Sequence, residues 1–326
     1  MTIQITILGL SQVGASFGLA LADKKDTILR VGNDRNMEIG KQAQKLGAVD
    51  QMQFNRPAAV RKADVVMLCM PVDEIKVTLE TIVQDIKEGC VVIDTSPIKV
   101  GVAEWAEKLM PKGRHFITMT PTINPDYLIE AEVGVGAAHA DLFKNSLMVI
   151  TSQPGVDGDV LKLAADLSAL VGSIPYFADP YEVDGLMAAV HLLPELLAVA
   201  LVDATVNQPG WIEARKLAGR AFARASLPLL EPNESDFHGQ AALLNKENTL
   251  RVMDNAIASL RELRQTIADG DEVGLADRIR AAIKARDLWR TQRQRADWNM
   301  SPAQDMPSKG EILGRLFGMG NKKKKP

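Results

Sequence analysis

TIQITILGLSQVGASFGLALADKKDTILRVGNDR, residues 2–35, decides the fold. It opens with apolar residues that alternate and then run together: Ile3, Ile5, Ile7 and Leu8. That pattern predicts a strand buried in a parallel sheet. Gly9, Leu10, Ser11, Gln12, Val13 and Gly14 follow, then a run rich in Ala and Leu that reads as a helix. A second apolar stretch, Ile28 to Val31, ends at Asn33, Asp34 and Arg35. Strand, tight glycine turn, helix, strand and acid make the layout of a dinucleotide-binding βαβ unit. Gly9 permits the turn and Gly14 lets the helix pack against the strand. The amides at the helix start, with the positive end of its dipole, would hold a pyrophosphate. Asp34 stands where a carboxylate accepts from ribose hydroxyls, which favours NAD. Arg35 beside it leaves NADP as the alternative, since a guanidinium there could hold a 2′-phosphate. Ser11 takes the place of the usual middle glycine, and its hydroxyl can bond a phosphate.

Outward from this unit the chain alternates strand and helix. Met37 to Leu46 reads as a helix, and residues 56–62 as a short basic segment. Ala63 to Met70 gives a buried strand closed by Pro71, and Cys90 to Asp94 gives another, followed by Thr95. Strands are also predicted over His115–Thr120, Ser146–Thr151 and Ile174–Phe177, with helices between. This alternation predicts an α/β fold: a Rossmann-type, doubly wound parallel sheet over residues 1–179. From 180 to 299 the periodicity is helical throughout. Residues 181–206 form one long apolar helix kinked at Pro194, and 211–230, 236–269 and 271–298 continue the pattern. The second domain is therefore expected to be all-α and to form a homodimer, and its apolar first helix to be buried between subunits or domains. Residues 300–326 end in Lys322 to Lys325 and read as a flexible basic tail. Ile312, Leu313, Leu316, Phe317 and Met319 beside those lysines leave an anionic-surface anchor as the alternative.

The 326 residues, 46% hydrophobic and 24% charged, suffice for two domains and a large core. A net charge of −3 argues against a nucleic-acid binder. Cys69 and Cys90 sit in strand-like runs and read as reduced core residues. Met1 leads straight into a strand, and no apolar run is expected to reach the length of a membrane span, so the reading is cytoplasmic. Cys and His are too scattered to suggest a metal site.

Taken together, these segments resemble the prephenate and arogenate dehydrogenases of tyrosine biosynthesis over nearly all of residues 3–298. Gly9 to Ser16 with Gly32 to Asn36 is similar to the family's cofactor turn and acidic loop. Ala63 to Val72 is similar to its fourth strand, and Asp94-Thr-Ser-Pro-Ile-Lys99 occupies the place of its D-x-G-S-V-K segment. Leu193-Pro194 sits where its long helix carries Leu-Pro, and Asn245 to Asn248 precedes a helix like those of its dimer domain. The resemblance implies oxidative decarboxylation: a base takes the proton of a ring hydroxyl while the ring carbon gives hydride to NAD, and carbon dioxide leaves. It also implies a small carboxylic-acid substrate, and it puts Met70, Pro71 and Thr95 against the cofactor.

Four positions depart from the family pattern. Its histidine in a His-Pro motif is Thr120 here, before Pro121. Its hydroxyl donor falls on Pro97, with Ser96 one residue earlier. Its substrate arginine falls near Leu227, and the histidine before Leu-Pro becomes Leu192, with His191 displaced by one. The residues left for chemistry are His191 and Glu195, which share a helix face at i, i+4, with Thr120 and Ser96 as hydroxyls that could orient a substrate. Lys99, Arg220 and Arg224 are the cations available to an acidic substrate. Each has a bland alternative: His191 as a core histidine satisfied by Glu195, Lys99 as a helix-start residue, and the two arginines as solvated or ion-paired. His115, His139 and His238 show no partner spacing. Two other activities stay open: a β-hydroxyacid-type dehydrogenase using His191, and a non-catalytic nucleotide-binding protein.

Overall fold

The structure, a computed structural model, describes residues 2–229, 237–296 and 298. Its centre is an eight-stranded sheet in the order β3-β2-β1-β4-β5-β6-β7-β8. The strands are β1 (Ile3–Leu8), β2 (Ile28–Asn33), β3 (Gln51–Met52), β4 (Val65–Leu68), β5 (Val91–Asp94), β6 (His115–Pro121), β7 (Leu147–Thr151) and β8 (Ile174–Phe177). Helices α1 (Gln12–Ala20), α2 (Met37–Lys45), α3 (Arg56–Val60), α4 (Val72–Ile82), α5 (Val100–Leu109) and α6 (Gly158–Leu170) connect and cover them. The period-2 alternation of each strand feeds two cores. Ile5, Ile7, Met67, Ile93 and Ile117 pack on one face, and Leu8, Val66, Leu68 and Val92 on the other. The chain order reverses between β1 and its neighbours β2 and β4, which opens a crevice at the carboxyl ends of those strands.

Two features differ from the sequence expectation. The sheet is not wholly parallel, because β7 runs antiparallel to β6 and parallel to β8. The β6–β7 connection holds two 3₁₀ turns, Pro125–Tyr127 and Gly134–Ala137, and no α-helix to carry a parallel crossover. The stretch read as a basic segment is the short helix α3. Asn55 caps it by accepting from the Ala58 N–H at 2.9 Å, and β3 precedes it.

Beyond β8 the described chain is helical. α7 (Pro180–Met187), a π-turn (Ala188–Leu192) and α8 (Leu193–Val206) form one continuous rod. The expected kink at Pro194 is absorbed upstream in that π-turn. Proline has no N–H to give and its ring crowds the carbonyl four residues earlier, so the preceding turn widens. The expectation that no apolar run reaches a membrane span is also corrected. Pro180–Val206 is 27 residues long and contains an 18-residue stretch of mean hydropathy 2.0, enough by length and composition alone, of which little is buried. Its apolar residues Leu186 and Val190 are exposed, whereas Asp184 and Glu195 on the same rod are buried.

α9 (Trp211–Leu217) and α10 (Arg220–Ala225) break at Ala218–Gly219, where one helix was expected. The expected 236–269 helix divides at Asn245 into α11 (Phe237–Leu244) and α12 (Lys246–Ala268). Asn245 turns its side chain to donate to the Asp184 carbonyl at 2.7 Å. α13 (Glu272–Arg295) closes the fold, and its Arg293 donates to the Ile123 carbonyl at 2.6 Å, tying it to the β6–β7 loop. The tail expected over 300–326 lies outside the described residues.

Candidate functional site

The site begins at the turn after β1. Gly9 has φ +90°, in the left-handed region, and a Cβ there would stand 2.1 Å from the Cys69 carbonyl oxygen. A Cβ on Gly14 would stand 1.9 Å from the Gly9 carbonyl oxygen. Gly9 is therefore fixed by the backbone just beyond β4, and Gly14 by the backbone of the glycine turn itself. Ser11 occupies the N-cap position of α1, yet its hydroxyl makes no capping bond, and its side chain lines the crevice. The first amides of α1 have no partner inside the helix. A backbone cradle of this shape, ending in a helix N-terminus, fits a pyrophosphate.

Asp34 splints two turns together. Its Oδ2 accepts from the Leu10 N–H at 2.8 Å and its Oδ1 from the Asn36 N–H at 2.8 Å. Leu10 is otherwise buried and acts through this amide. Gly9, Ser11, Asp34, Arg35, Met70 and Pro71 line a cavity of about 380 Å³. A second cavity of about 530 Å³ shares Ser11, Met70 and Pro71, so the two form one cleft. Gln12, Val13, Thr95, His191, Glu195 and Arg224 line this second part. Thr95 donates its hydroxyl to the Leu68 carbonyl at 3.0 Å, which ties the end of β5 to the end of β4.

His191 lies in the π-turn, half-buried, with Nε2 3.5 Å from Glu195 Oε1. That separation is longer than a good hydrogen bond. Cys69 also borders both cavities, but burial pushes its thiol up to about 12, so it offers no thiolate.

Not every residue singled out in the sequence reaches the cleft. Thr120 is buried and donates to the Ser96 carbonyl at 2.9 Å. Ser96 donates its own hydroxyl to Asp94 Oδ2 at 2.8 Å. Lys99 is fully buried and its Nζ donates to the Ser96 carbonyl. Burial pushes Lys99 down, against the pull of Asp94 and Asp184, and pushes both of those carboxyls up. These three side chains brace the 94–100 segment from behind instead of lining the cleft. Arg220 is exposed on α10 and also stands apart from the lining.

Sequence reasoning missed residues that the fold brings in from a distance. Glu130 and Val133, from the β6–β7 loop, line the second cavity. His139, expected to lack a partner, contacts both Glu130 carboxylate oxygens at 3.0 Å and stacks on Tyr127 at 3.9 Å between ring centroids. Helical spacing could not reveal the pair, because it lies in a loop. Asp184 accepts from the Lys99 N–H at 2.6 Å and the Val100 N–H at 3.1 Å, capping α5 from the other domain.

The family model described as prephenate dehydrogenase, nucleotide-binding domain, matches residues 17–174, and that for the prephenate dehydrogenase dimerization domain matches residues 179–281. The chain belongs to the prephenate dehydrogenase family. A member from Bacillus subtilis, a prephenate dehydrogenase, is 24% identical over 287 residues, covering 87% of this chain and 75% of that protein. The cyclohexadienyl dehydrogenase of Zymomonas mobilis is 23% identical over 286 residues, covering 86% of this chain and 94% of that one. Among solved structures, the prephenate dehydrogenase of A. aeolicus in complex with hydroxyphenyl propionate and NAD+ superposes with a TM-score of 0.74. It shares 23% identity and covers 88% of this chain and 99% of that one, a likeness of fold. The long exposed apolar rod thus begins a domain that family members use to dimerise.

Proposed function

We propose that this protein is an NAD-dependent dehydrogenase that oxidatively decarboxylates prephenate or its amino counterpart, arogenate. The observation that carries this reading is the placement of His191, Glu195 and Arg224 on the same cleft as the glycine turn. In this reading residues 1–179 bind the dinucleotide, and residues 180–299 complete the substrate site and form a homodimer.

NAD, when bound, supplies the hydride acceptor. The turn from Gly9 to Gly14 would hold its pyrophosphate on the first amides of α1, and Asp34 would set the adenosine end. Met70, Pro71 and Thr95 line the same cleft, where they limit how the substrate ring can approach. Arg224 pairs with a substrate carboxylate. Glu195, 3.5 Å from His191 Nε2, favours a proton on that nitrogen, and Nδ1 takes the substrate hydroxyl proton. A base for the hydroxyl and a cation for the carboxylate are what the reaction asks of the protein. Thr120, Ser96 and Lys99 have a supporting part here: they fix the segment that carries Thr95.

The test is turnover of prephenate and of arogenate with NAD, followed by reduced-nicotinamide absorbance and carbon dioxide release. His191→Asn should lower kcat by roughly a hundredfold, the usual scale for losing a general base, with NAD affinity measured alongside. Full activity in His191→Asn would remove His191 from the role. An absence of turnover with either acid, in protein shown to bind NAD, would sink the assignment.

A further inference from the structure

The substrate part of the cleft holds a carboxylate to which the chemistry proposed above gives no task. Among the described residues lining the second cavity, the charged side chains are Arg224, Glu195 and Glu130, with His191 beside them. With the imidazole neutral, one cation stands against two carboxylates. That lining is unfavourable for a dianion. Prephenate is a dianion: it carries a carboxylate on the ring, a second on the side chain, and a ketone. Arogenate keeps both carboxylates and has an ammonium group where prephenate has the ketone oxygen.

Glu130 is held in place from outside the cavity. It comes from the β6–β7 loop, its side chain is 25% exposed, and His139 Nε2 lies 3.0 Å from each of its oxygens. One ring nitrogen set between two oxygens fixes the carboxylate and leaves lone pairs on both of them. The imidazole is fixed in its turn. It lies flat on Tyr127, with 5° between the ring planes, and Tyr127 donates its hydroxyl to Asp141 Oδ1 at 2.7 Å. The backbone of this limb of the loop is fastened to the cofactor helix. The His139 N–H donates to Ser16 Oγ at 3.0 Å, and Gln12 Nε2 donates to the Ala137 carbonyl at 3.1 Å. Ser16 and Gln12 both belong to α1, the helix that follows the glycine turn. The position of Glu130 is therefore set, through His139, by the same helix that would carry the pyrophosphate.

We infer that Glu130, positioned by His139, accepts an ammonium group of the substrate, so that the protein selects arogenate over prephenate. This rests on the dehydrogenase reading given above, which leaves the two acids equal. An ammonium group brings donors and a positive charge, and its bond to a carboxylate is charge-assisted. A ketone in the same place has no donor to give, and Glu130 then repels a dianion. A site built to bond a donor discriminates strongly against the analogue that lacks it. Arg224 and Glu130 would read opposite charges on one substrate.

The experiment is steady-state turnover of the full-length protein with NAD and each of the two acids, compared as the ratio of kcat/KM for arogenate to that for prephenate. Circular dichroism is recorded on each variant. The unsubstituted protein should favour arogenate by roughly tenfold or more, the scale of a charge-assisted bond. Glu130→Gln keeps the shape and removes the charge, and should lower the ratio by roughly tenfold, raising KM for arogenate and lowering it for prephenate. His139→Phe keeps the stack on Tyr127 but has no ring nitrogen, and should lower the ratio less. His139→Gln returns a donor and should recover part of the loss. A purely structural role for the pair would lower turnover of both acids alike and leave the ratio where it was, which overturns the inference. A preference of the unsubstituted protein for prephenate overturns it without any variant, while the dehydrogenase reading stands. If neither acid is turned over, the dehydrogenase reading fails and this one with it.

Discussion

Asp184→Asn tests how the two halves of the molecule are joined. Asp184 lies on α7, yet both of its oxygens accept backbone amides at the start of α5: the Lys99 N–H at 2.6 Å and the Val100 N–H at 3.1 Å. An asparagine can present one oxygen to one of those amides, and its own N–H₂ group then faces the other. The change removes one charge-assisted bond, which costs about 1.5–3 kcal/mol. It also leaves an unpaired donor at the N-terminus of a helix, at about 1 kcal/mol. Lys99, fully buried, is left with Asp94 as its remaining nearby carboxylate. The sum is about 3 kcal/mol, which at an unfolding entropy of about 2.1 cal/mol/K per residue lowers the Tm of a 326-residue chain by roughly 4 °C. Thermal and urea unfolding at fixed protein concentration would measure it, since dimerisation makes Tm depend on concentration. Asp203→Asn, on the exposed face of α8, is the control. A Tm within about 1 °C of the unsubstituted protein would refute the strut, because no cap of this kind is lost without that cost.

Other consequences follow from the same geometry. Gly9→Ala puts a Cβ 2.1 Å from the Cys69 carbonyl oxygen at a φ of +90°, so it should abolish dinucleotide binding by calorimetry and lower Tm; normal NAD affinity would contradict the described turn. Cys69 and Cys90, both pushed up to about 12 by burial, should resist iodoacetamide at pH 8 in the native protein and react on unfolding; rapid native alkylation would show the thiols to be accessible. Both folded values lie above the ordinary thiol value of 9.0, so the folded state holds these protons where the unfolded state loses them. Their contribution to stability is present below pH 9 and declines as pH rises toward 12, which unfolding midpoints across that range would reveal.

Much of the N-terminal half could be read directly. β1, the glycine turn, α1 and β2 are consecutive, so periodicity and spacing alone specify them. The direction of β7 could not be read, because a strand's neighbours are not written in its own residues. β3 is two residues long and offers no period to detect. The π-turn escaped for a related reason: Pro194 signals a defect but not on which side the helix will absorb it. In the site, His191 and Glu195 were visible because one helical turn separates them. Glu130 with His139 and Asp184 with Lys99 depend on loop paths and domain docking. Lys99 and Thr120 show the reverse limit. Their chemistry suggested the cleft, yet the fold points them into the packing behind it.

The continuous rod from Pro180 to Val206 has a mechanical consequence. It is pinned to the nucleotide-binding half at Asp184, and His191 stands seven residues further along, about 10 Å at the usual helical rise. The pin is a fulcrum and the imidazole rides on a short arm. A tilt of about 5° around that fulcrum sweeps the imidazole by about 1 Å, the displacement at which reacting groups lose about a hundredfold in rate. The arm beyond His191 runs through α8 into the domain that family members use to dimerise. In the function proposed above, the seating of one subunit against another would set the angle of that lever, and with it the reach of His191.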